Sequence, residues 1–172
     1  IKIILMIIVI IICSLGIYLS QETKIKYIKI DKNKLFKVEK VIDGDTIEVN
    51  NNGRLMTVRM LGIDTPETID PRKGIQCYGI EASNMTKKLL NEHFVALEGY
   101  LLDKYGRLLA YVYENENRIM INKYLIENGF AKEYTYGKSK YSMQSEFKRL
   151  QKQAKKEKRG LWGKCYLAFK DK

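Results

Sequence analysis

The sequence predicts an α+β fold: a small barrel of five β-strands, with three α-helices placed between and after the strands. Five short runs alternate apolar and polar residues, which is the pattern of half-buried strands. Three other runs place apolar residues three or four positions apart, as amphipathic helices do. Beyond its first twenty residues, the 172-residue chain is long enough for one such domain and too short to suit two.

The first three strands follow one another directly and predict a curled meander. They cover residues 35–42, 46–49 and 55–60. Turn signals separate the strands, with Asp43-Gly44 in the first gap and Asn-Asn-Asn-Gly at residues 50–53 in the second. The amino-terminal half of the domain is therefore expected to be mostly β-structure.

The second half mixes helices with the two remaining strands. In chain order, the sequence predicts a helix at 79–91, strands at 94–101 and 107–113, and helices at 119–128 and 143–158. Gly129 and Gly160 stand where the last two helices are expected to stop. Five short strands with helices between and after them indicate a barrel of the OB type, whose open face commonly binds nucleic acid or sugar chains. Fold alone does not establish an activity.

An apolar run at residues 3–19 follows Lys2 and gives way to polar sequence at Ser20. This pattern predicts a signal peptide or membrane anchor over residues 1–20, long for the first and short for the second. A linker at 21–34, the domain at 35–166 and a tail at 167–172 are expected to follow. We therefore expect an extracellular or cell-surface protein that contacts a membrane only through residues 1–20, if they are retained.

The net charge of +11 and the isoelectric point near 9.4 favour a polyanionic partner. An AT-rich genome would also enrich Ile, Lys, Asn and Tyr without any selection for binding. The net charge alone therefore fits a nucleic-acid partner and mere solubility equally well. The lysine-rich stretch at 152–159 lies on the last predicted helix, where a solvated face is a more common role than nucleic-acid contact.

Two cysteines, Cys77 and Cys165, lie in the predicted domain. In an oxidising compartment they are expected either to form a disulfide that closes a long loop or to remain partly buried thiols, and the sequence leaves both outcomes open. No Cys-x-x-Cys spacing occurs, which argues against a zinc site.

The chain lacks the parts of several common hydrolytic mechanisms. His93 is the only histidine, and we interpret it as structural, so mechanisms that need a histidine pair or histidine with zinc are excluded. The chain also lacks a G-x-S-x-G elbow and a Walker loop. Hydrolysis by this chain would have to use carboxylates, a metal ion, arginines and water.

Such a combination is concentrated at residues 59–67, which read Arg-Met-Leu-Gly-Ile-Asp-Thr-Pro-Glu. Acids at Asp43 and Asp45 precede this segment, and Arg107 follows it. Carboxylates bind hard cations through oxygen, and guanidinium groups bind phosphate oxygens in pairs. The pattern indicates a pocket for a cation and a phosphate together.

Several segments, taken in order, resemble the staphylococcal nuclease (thermonuclease) family. They are Asp-Gly-Asp-Thr at 43–46, the segment at 59–67, Tyr-Gly-Ile-Glu-Ala at 78–82, Asp-Lys-Tyr-Gly-Arg at 103–107 with Leu-Leu-Ala-Tyr-Val-Tyr after it, and Arg-Gly-Leu-Trp at 159–162. The resemblance spans about residues 35–162. It implies a monomeric, calcium-dependent phosphodiesterase on an OB barrel, which cuts DNA and RNA, with single strands favoured, and leaves 3′-phosphates.

The resemblance also implies a metal site. Asp45 and Asp64 would offer carboxylates to Ca²⁺, Thr65 would offer its backbone carbonyl, and Asp43 would act through water. Such oxygen ligands suit calcium. The alternative for these acids is turn formation, which for Asp43 is an equal explanation.

Catalytic roles are implied for three further residues. Glu67 would orient or deprotonate the attacking water, and Arg59 and Arg107 would hold the phosphate and stabilise the charge that develops on its oxygens. The alternative for the two arginines is a surface ion pair.

Contacts to the nucleic acid are implied for basic and aromatic residues: Arg72, Lys73, Lys104, Tyr105, Tyr134 and Tyr136. The sequence departs from the family pattern near the last two. Residues 129–134 are one residue shorter than the pattern, and Gly137-Lys138 replaces a proline-containing loop. Packing in the domain is therefore the alternative role for both tyrosines.

Two other functions fit an OB barrel. One is a catalytically inactive module that only binds nucleic acid, and the other is a calcium-binding adhesion or sugar-binding domain. The second gives Arg59 and Arg107 no task. The presence of the metal acids, Glu67 and both arginines in one chain favours the enzyme over either alternative.

Overall fold

The computed structural model describes residues 31, 33–69, 74–116, 118–137 and 139–165, with the exception of the Tyr100 side chain. The predicted signal or anchor at 1–20, most of the predicted linker and the tail at 167–172 lie outside the described residues. In the described part of the chain, no helix has the length and apolar character needed to cross a membrane.

Five strands form a closed barrel with the spatial order β1-β2-β3-β6-β5. These strands are β1 (Leu35–Val41), β2 (Thr46–Asn51), β3 (Arg54–Met60), β5 (Phe94–Leu102) and β6 (Leu108–Glu114). Neighbours are antiparallel except β3 and β6, which run parallel and close the barrel. The predicted five-stranded barrel is confirmed.

A second, two-stranded sheet lies beside the barrel and pairs β4 (Ile63–Asp64) with β7 (Lys132–Glu133). The described helices are α1 (Gly79–Leu90), α2 (Ile121–Glu127), α3 (Gln144–Lys156) and the short α4 (Leu161–Lys164). The three predicted helices are confirmed. The sequence did not predict β4, β7 or α4, because two-residue strands and a single helical turn are too short to show a period.

Most predicted boundaries shift by one or two residues, and hydrogen bonds account for two of these shifts. The strand predicted from residue 107 begins at Leu108, because the Arg107 carbonyl accepts a hydrogen bond from the Asp103 amide and closes a turn. The helix predicted from residue 119 begins at Ile121, because the Ile119 carbonyl accepts a hydrogen bond from the Glu114 amide. In each case the backbone carbonyl of the first predicted residue accepts a hydrogen bond from a residue outside the element.

The core fills the barrel and continues under the helices. Alternate residues of the strands point inward and are almost fully buried. Helix α2 packs on β6, and α3 packs on α2 and β7 and places Phe147 against Tyr111 of β6. The largest fully buried side chains are those of Phe36, Ile47, Met60, Ile63, Leu90, Leu97, Leu108, Ile121, Leu125, Ile126, Phe147 and Leu150. Apolar burial of this extent is the main source of stability for a single domain of this size.

Cys77 and Cys165 form a disulfide across a sequence separation of 88 residues. Cys77 lies just before α1, and the buried Cys165 lies just after α4. Of the two outcomes left open by the sequence, the structure contains the pair. The bridge ties the segment that enters α1 to the end of the described chain.

Asn122 is a fully buried polar side chain that joins three elements. From α2, its Nδ2 donates to the carbonyls of Leu61 and Ala110, at 2.9 and 3.2 Å. Its Oδ1 accepts from the Val112 amide at 2.9 Å. The side chain therefore fixes α2 against β6 and against the segment that follows β3.

We expect Asn122→Ala to lower the free energy of unfolding by about 2 to 4 kcal/mol, because it leaves buried backbone groups of Val112 and Leu61 without partners. Urea denaturation measures the change. The exposed Asn91 provides a control, and Asn91→Ala should change stability by less than about 0.5 kcal/mol. Equal effects of the two substitutions would contradict this role for Asn122.

Candidate active site

The turn between β1 and β2 carries the first acids of the site. Asp43 Oδ1 accepts a hydrogen bond from the Asp45 amide at 3.0 Å, which closes the turn. Gly44 lies so close to Thr65 that a side-chain carbon at this position would be 2.7 to 2.8 Å from Thr65 atoms. From α1, the Thr86 hydroxyl donates to the Gly44 carbonyl at 2.7 Å. The turn is thus held on both sides.

Asp45 is buried and accepts hydrogen bonds at both carboxylate oxygens. Oδ2 accepts from the Thr65 amide at 2.7 Å and from the Thr65 hydroxyl at 2.9 Å. Oδ1 accepts from the Thr46 hydroxyl and lies 3.1 Å from Arg59 Nε. This one carboxylate connects the β1–β2 turn, β3 and the segment after β4.

Arg59 lies near the end of β3 with its side chain only 14% exposed. Nη1 donates to the carbonyl of Ile63 at 2.8 Å and to that of Met60, and Nη2 donates to Asp64 Oδ1 at 3.1 Å. For Arg59, the structure therefore does not contain the surface ion pair considered from the sequence, whereas Arg107 does pair with Asp103. Arg59 is a largely buried group that joins the two predicted metal acids, Asp45 and Asp64.

Asp64 is the more accessible of these two acids, with its side chain 44% exposed. It lies on β4, opposite Lys132 of β7. The Tyr141 hydroxyl supports this sheet because it lies 2.9 Å from Glu133 of β7, to which its single proton is donated, and 3.2 Å from the carbonyl of Gly62, just before β4. Burial and the bond to Glu133 raise the pKa of Tyr141, which therefore stays protonated as a donor at neutral pH.

The Asp43 carboxyl is largely buried and lies close to the negative charge of Asp45. Burial, followed by the nearby charge of Asp45, raises the pKa of the Asp43 carboxyl to about 6. Arg59 acts in the opposite direction with a smaller effect. A carboxyl group in this position would be ionised more readily beside an additional positive charge.

The oxygen groups at this site fit a hard cation chemically. Among the described residues, no three His, Cys, Asp or Glu side chains meet in a group able to hold a metal ion, so a cation here would need backbone or water oxygens besides the carboxylates. The four acceptor positions of Asp45 are all engaged by protein donors. A cation bound to Asp45 would therefore replace one of those donors.

Glu67 begins the loop that leads towards α1. Its Oε1 accepts hydrogen bonds from the amides of Thr68 and Ile69, at 3.0 and 2.9 Å. Its backbone amide donates to Gln76 Oε1 at 3.0 Å, and its carbonyl accepts from the Gln76 amide at 2.8 Å. The carboxylate and the backbone of Glu67 are both fixed by this loop.

Arg107 lies in the β5–β6 turn. Its Nε donates to Asp103 Oδ2 at 2.8 Å, and its guanidinium lies over the Tyr105 ring. The parallel register of β3 and β6 pairs Arg59 with Leu109. Arg107 immediately precedes β6 and stands two residues before Leu109. If the alternation of the strand extends to it, its side chain is expected on the same side of the sheet as that of Arg59.

The predicted nucleic-acid contacts are exposed where the structure describes them. Lys104 lies over the exposed Tyr105 ring in the β5–β6 turn. The Tyr134 and Tyr136 residues are 45% and 67% exposed, which does not fit core packing. The Tyr134 amide donates to the Gly62 carbonyl, so this residue lies beside β4. The remaining predicted contacts, Arg72 and Lys73, lie outside the described residues.

Sequence reasoning missed three residues that hold the site together. Thr86 supports the Gly44 turn, Gln76 binds the backbone of Glu67, and Asn122 binds Leu61. Thr86 and Asn122 had a detectable signal, because each is a polar residue on the apolar face of a predicted helix. Gln76 gave no such signal, since it lies in a loop.

We expect Thr86→Val to loosen the Asp43–Asp45 turn, because valine keeps the shape of threonine and removes the donor to the buried Gly44 carbonyl. Loss of that bond should cost about 1 to 3 kcal/mol of folding free energy, measured by urea denaturation. Hydrogen exchange at the amides of Asp45 and Thr65 should become faster.

The matched variant is Thr86→Ser, which keeps the hydroxyl and removes a methyl group. It should lose some packing free energy and leave exchange at these two amides close to that of the parent. Unchanged exchange in Thr86→Val would contradict the proposed support of the turn.

Comparison with known proteins agrees with this geometry. The model of the family described as staphylococcal nuclease homologue matches residues 57–164. A thermonuclease of Staphylococcus hyicus is 43% identical over 129 residues, which cover 74% of this chain and 75% of that protein. A thermonuclease of Staphylococcus intermedius is 42% identical over 128 residues, which cover 73% of this chain and 74% of that protein.

The SPbeta prophage-derived endonuclease YokF of Bacillus subtilis is 43% identical over 132 residues, which cover 74% of this chain and 43% of that longer protein. The family match includes Arg59, Asp64, Glu67 and Arg107 and covers more than half of the chain. Together with the barrel and the site built around Asp45, these matches establish that the chain belongs to the staphylococcal nuclease homologue family.

Proposed function

We propose that this chain is a calcium-dependent nuclease that hydrolyses phosphodiester bonds of DNA and RNA and leaves 3′-phosphate ends. The observation that carries the proposal is the pair of acids, Asp45 and Asp64, joined by the Arg59 guanidinium at 3.1 Å from each. Relatives named as thermonucleases and endonucleases support the nuclease chemistry.

In this proposal Asp45, Asp64 and the carbonyl of Thr65 hold the calcium ion. When bound, the ion supplies Lewis-acid stabilisation of negative charge on a phosphoryl oxygen. Asp64 is the accessible ligand, and Asp45 gives up one of its present donors to take part. Asp43, whose pKa is raised by burial and by Asp45, would ionise more readily beside the added positive charge.

Glu67 orients the attacking water and accepts its proton. Its Oε1 is engaged by the Thr68 and Ile69 amides, which fix the direction of the carboxylate. The water oxygen bonds to phosphorus while the bond from phosphorus to the 5′-oxygen breaks. The leaving 5′-oxygen takes a proton from solvent and becomes a hydroxyl, and the phosphate stays on the 3′ side.

The two arginines stabilise the charge that builds up on the phosphoryl oxygens during this displacement. Within the described residues, Arg107 uses only Nε to bind a carboxylate, that of Asp103, so both Nη groups are available to a phosphate. Arg59 has less freedom because Asp45, Asp64 and two carbonyls already bind it. We therefore assign the larger direct phosphate contact to Arg107.

Substrate is held by the exposed residues around the site. Tyr105, Tyr134 and Tyr136 present exposed rings that can stack on bases, and Lys104 adds positive charge. Arg72 and Lys73 are assigned phosphate contacts on sequence grounds. Stacking on unpaired bases favours single-stranded DNA and RNA as substrates, and we propose that the enzyme acts on them as a monomer.

We propose that the enzyme works outside the cytoplasm, as a secreted or cell-surface protein. The apolar run at residues 3–19 supports export, and the Cys77–Cys165 disulfide is of a kind that persists in oxidising compartments. Contact with a membrane would involve only residues 1–20, if they are retained.

Purified protein should degrade single-stranded DNA and RNA in the presence of Ca²⁺ and stop when a chelator is added in excess. Addition of Ca²⁺ beyond the chelator should restore activity. Labelled oligonucleotides separated by electrophoresis should show 3′-phosphate and 5′-hydroxyl ends. Binding of nucleic acid without cleavage would instead support the inactive OB-fold module, and activity that persists in chelator would contradict the metal dependence.

Glu67→Gln and Arg107→Ala should each lower kcat on the order of 10² to 10³-fold, the usual cost of removing one such group. Initial rates on single-stranded DNA at saturating Ca²⁺ measure the effect. Arg149→Ala is a matched control, because Arg149 also donates Nε to a neighbouring carboxylate, that of Glu146, on an exposed part of α3. Activity near the parent level in Glu67→Gln or Arg107→Ala would overturn the assigned role.

A further inference from the structure

The backbone of Glu67 is bound on both sides by one residue, Gln76. The Gln76 side chain accepts a hydrogen bond from the Glu67 amide through Oε1 at 3.0 Å. The Gln76 amide donates to the Glu67 carbonyl at 2.8 Å. The two bonds lie on either side of the Glu67 Cα atom, so they restrict the direction in which its side chain leaves the backbone.

Gln76 is in turn held by its neighbours. Its carbonyl accepts a hydrogen bond from the Gly79 amide at 3.0 Å, at the start of α1. Gly79 itself lies against this part of the loop, since a side-chain carbon there would be 2.8 Å from Thr68 and 2.9 Å from the Glu67 carbonyl oxygen. The first residue of α1 thus packs directly on the backbone that carries Glu67.

The disulfide anchors the same point to the core. Cys77 follows Gln76 and is bonded to Cys165, whose amide donates to the Leu161 carbonyl in α4. Leu161 is fully buried, and its amide donates to the Gly129 carbonyl after α2. Gln76 and Cys77 are themselves exposed, so the covalent bridge supplies the attachment that side-chain burial does not.

We propose that Gln76 is a positioning residue for Glu67, and that the Cys77–Cys165 disulfide keeps Gln76 in place. We call this arrangement the Gln76 clamp. The proposal rests on the role assigned to Glu67 under the proposed function. It adds that full activity requires the oxidised disulfide. A carboxylate that orients water loses catalytic effect when it is displaced by a small part of the length of its hydrogen bond to that water.

Two substitutions at Gln76 distinguish the effect of losing the hydrogen bond from the effect of changing the shape of the side chain. Gln76→Met keeps the length and removes the acceptor, whereas Gln76→Glu keeps an acceptor at the same position. In the full chain we expect Gln76→Met to lower kcat on the order of 10-fold, with KM and Tm close to the parent values. Gln76→Glu should retain most of the activity. The control is Gln153→Met, in a surface glutamine of α3 bonded to Glu157, and it should leave kcat unchanged.

A double variant tests whether Gln76 acts through Glu67. In a Glu67→Gln background the carboxylate that the clamp positions is gone, so adding Gln76→Met should not lower the residual rate further. An equal fold-loss in both backgrounds, or a Gln76→Met variant with unchanged kcat, would overturn the proposal. A Glu67→Gln enzyme of parental activity would instead overturn the proposed function, so the two failures are distinguishable.

The disulfide is tested in a Cys13→Ser background, which leaves Cys77 and Cys165 as the two cysteines of the chain. We expect dithiothreitol to lower kcat at a temperature where circular dichroism shows that the reduced protein is folded. The Cys77→Ser/Cys165→Ser variant should have the same low kcat with or without reductant. Parental kcat in the folded, reduced protein would overturn the part of the proposal that assigns the anchor to the disulfide.

Discussion

The candidate site depends on a single buried carboxylate, that of Asp45. Burial of a charge costs folding free energy unless opposite charge and hydrogen bonds compensate for it, and Asp45 has both. The two Thr65 donors and the Thr46 hydroxyl satisfy its oxygens, while Arg59 supplies the opposite charge. Each of these partners belongs to a different short segment, so the carboxylate fixes their relative positions. The position of Asp64 follows in turn, since it is bound by the other side of the same guanidinium.

Helix α1 connects the turn that contains Asp43 and Asp45 to the loop that contains Glu67. Near its carboxyl end, Thr86 binds the Gly44 carbonyl, and at its amino end Gly79 packs on the backbone of Glu67. One rigid helix therefore determines the distance between two loops that have no secondary structure of their own. This arrangement is one reason why polar residues occur on the buried face of α1, where apolar residues alone would give a more hydrophobic core.

The sequence predicted the barrel, because strand alternation is a local pattern, and the structure brings the predicted residues Asp43, Asp45, Arg59 and Asp64 together. Alternation along the strands and the close spacing of acids and arginine at residues 43–67 are visible without any tertiary contact. It could not predict that Ile119 pairs with the strand instead of beginning α2, or that Gln76 binds Glu67 across its loop. Such outcomes depend on which backbone groups meet in three dimensions. The tight engagement of Arg59 was also invisible, since a motif gives residue types and not their partners.

The parallel pairing of β3 with β6 has a consequence for when the enzyme becomes active. A chain that has been synthesised only through β3 already contains Asp45 and Arg59, but it lacks the strand that closes the barrel and the turn that brings Arg107. The helix that supports Gly44 and Glu67 also follows later in the chain. Amino-terminal fragments therefore cannot assemble the candidate site. A nuclease with this topology is complete only when almost the whole domain has been synthesised.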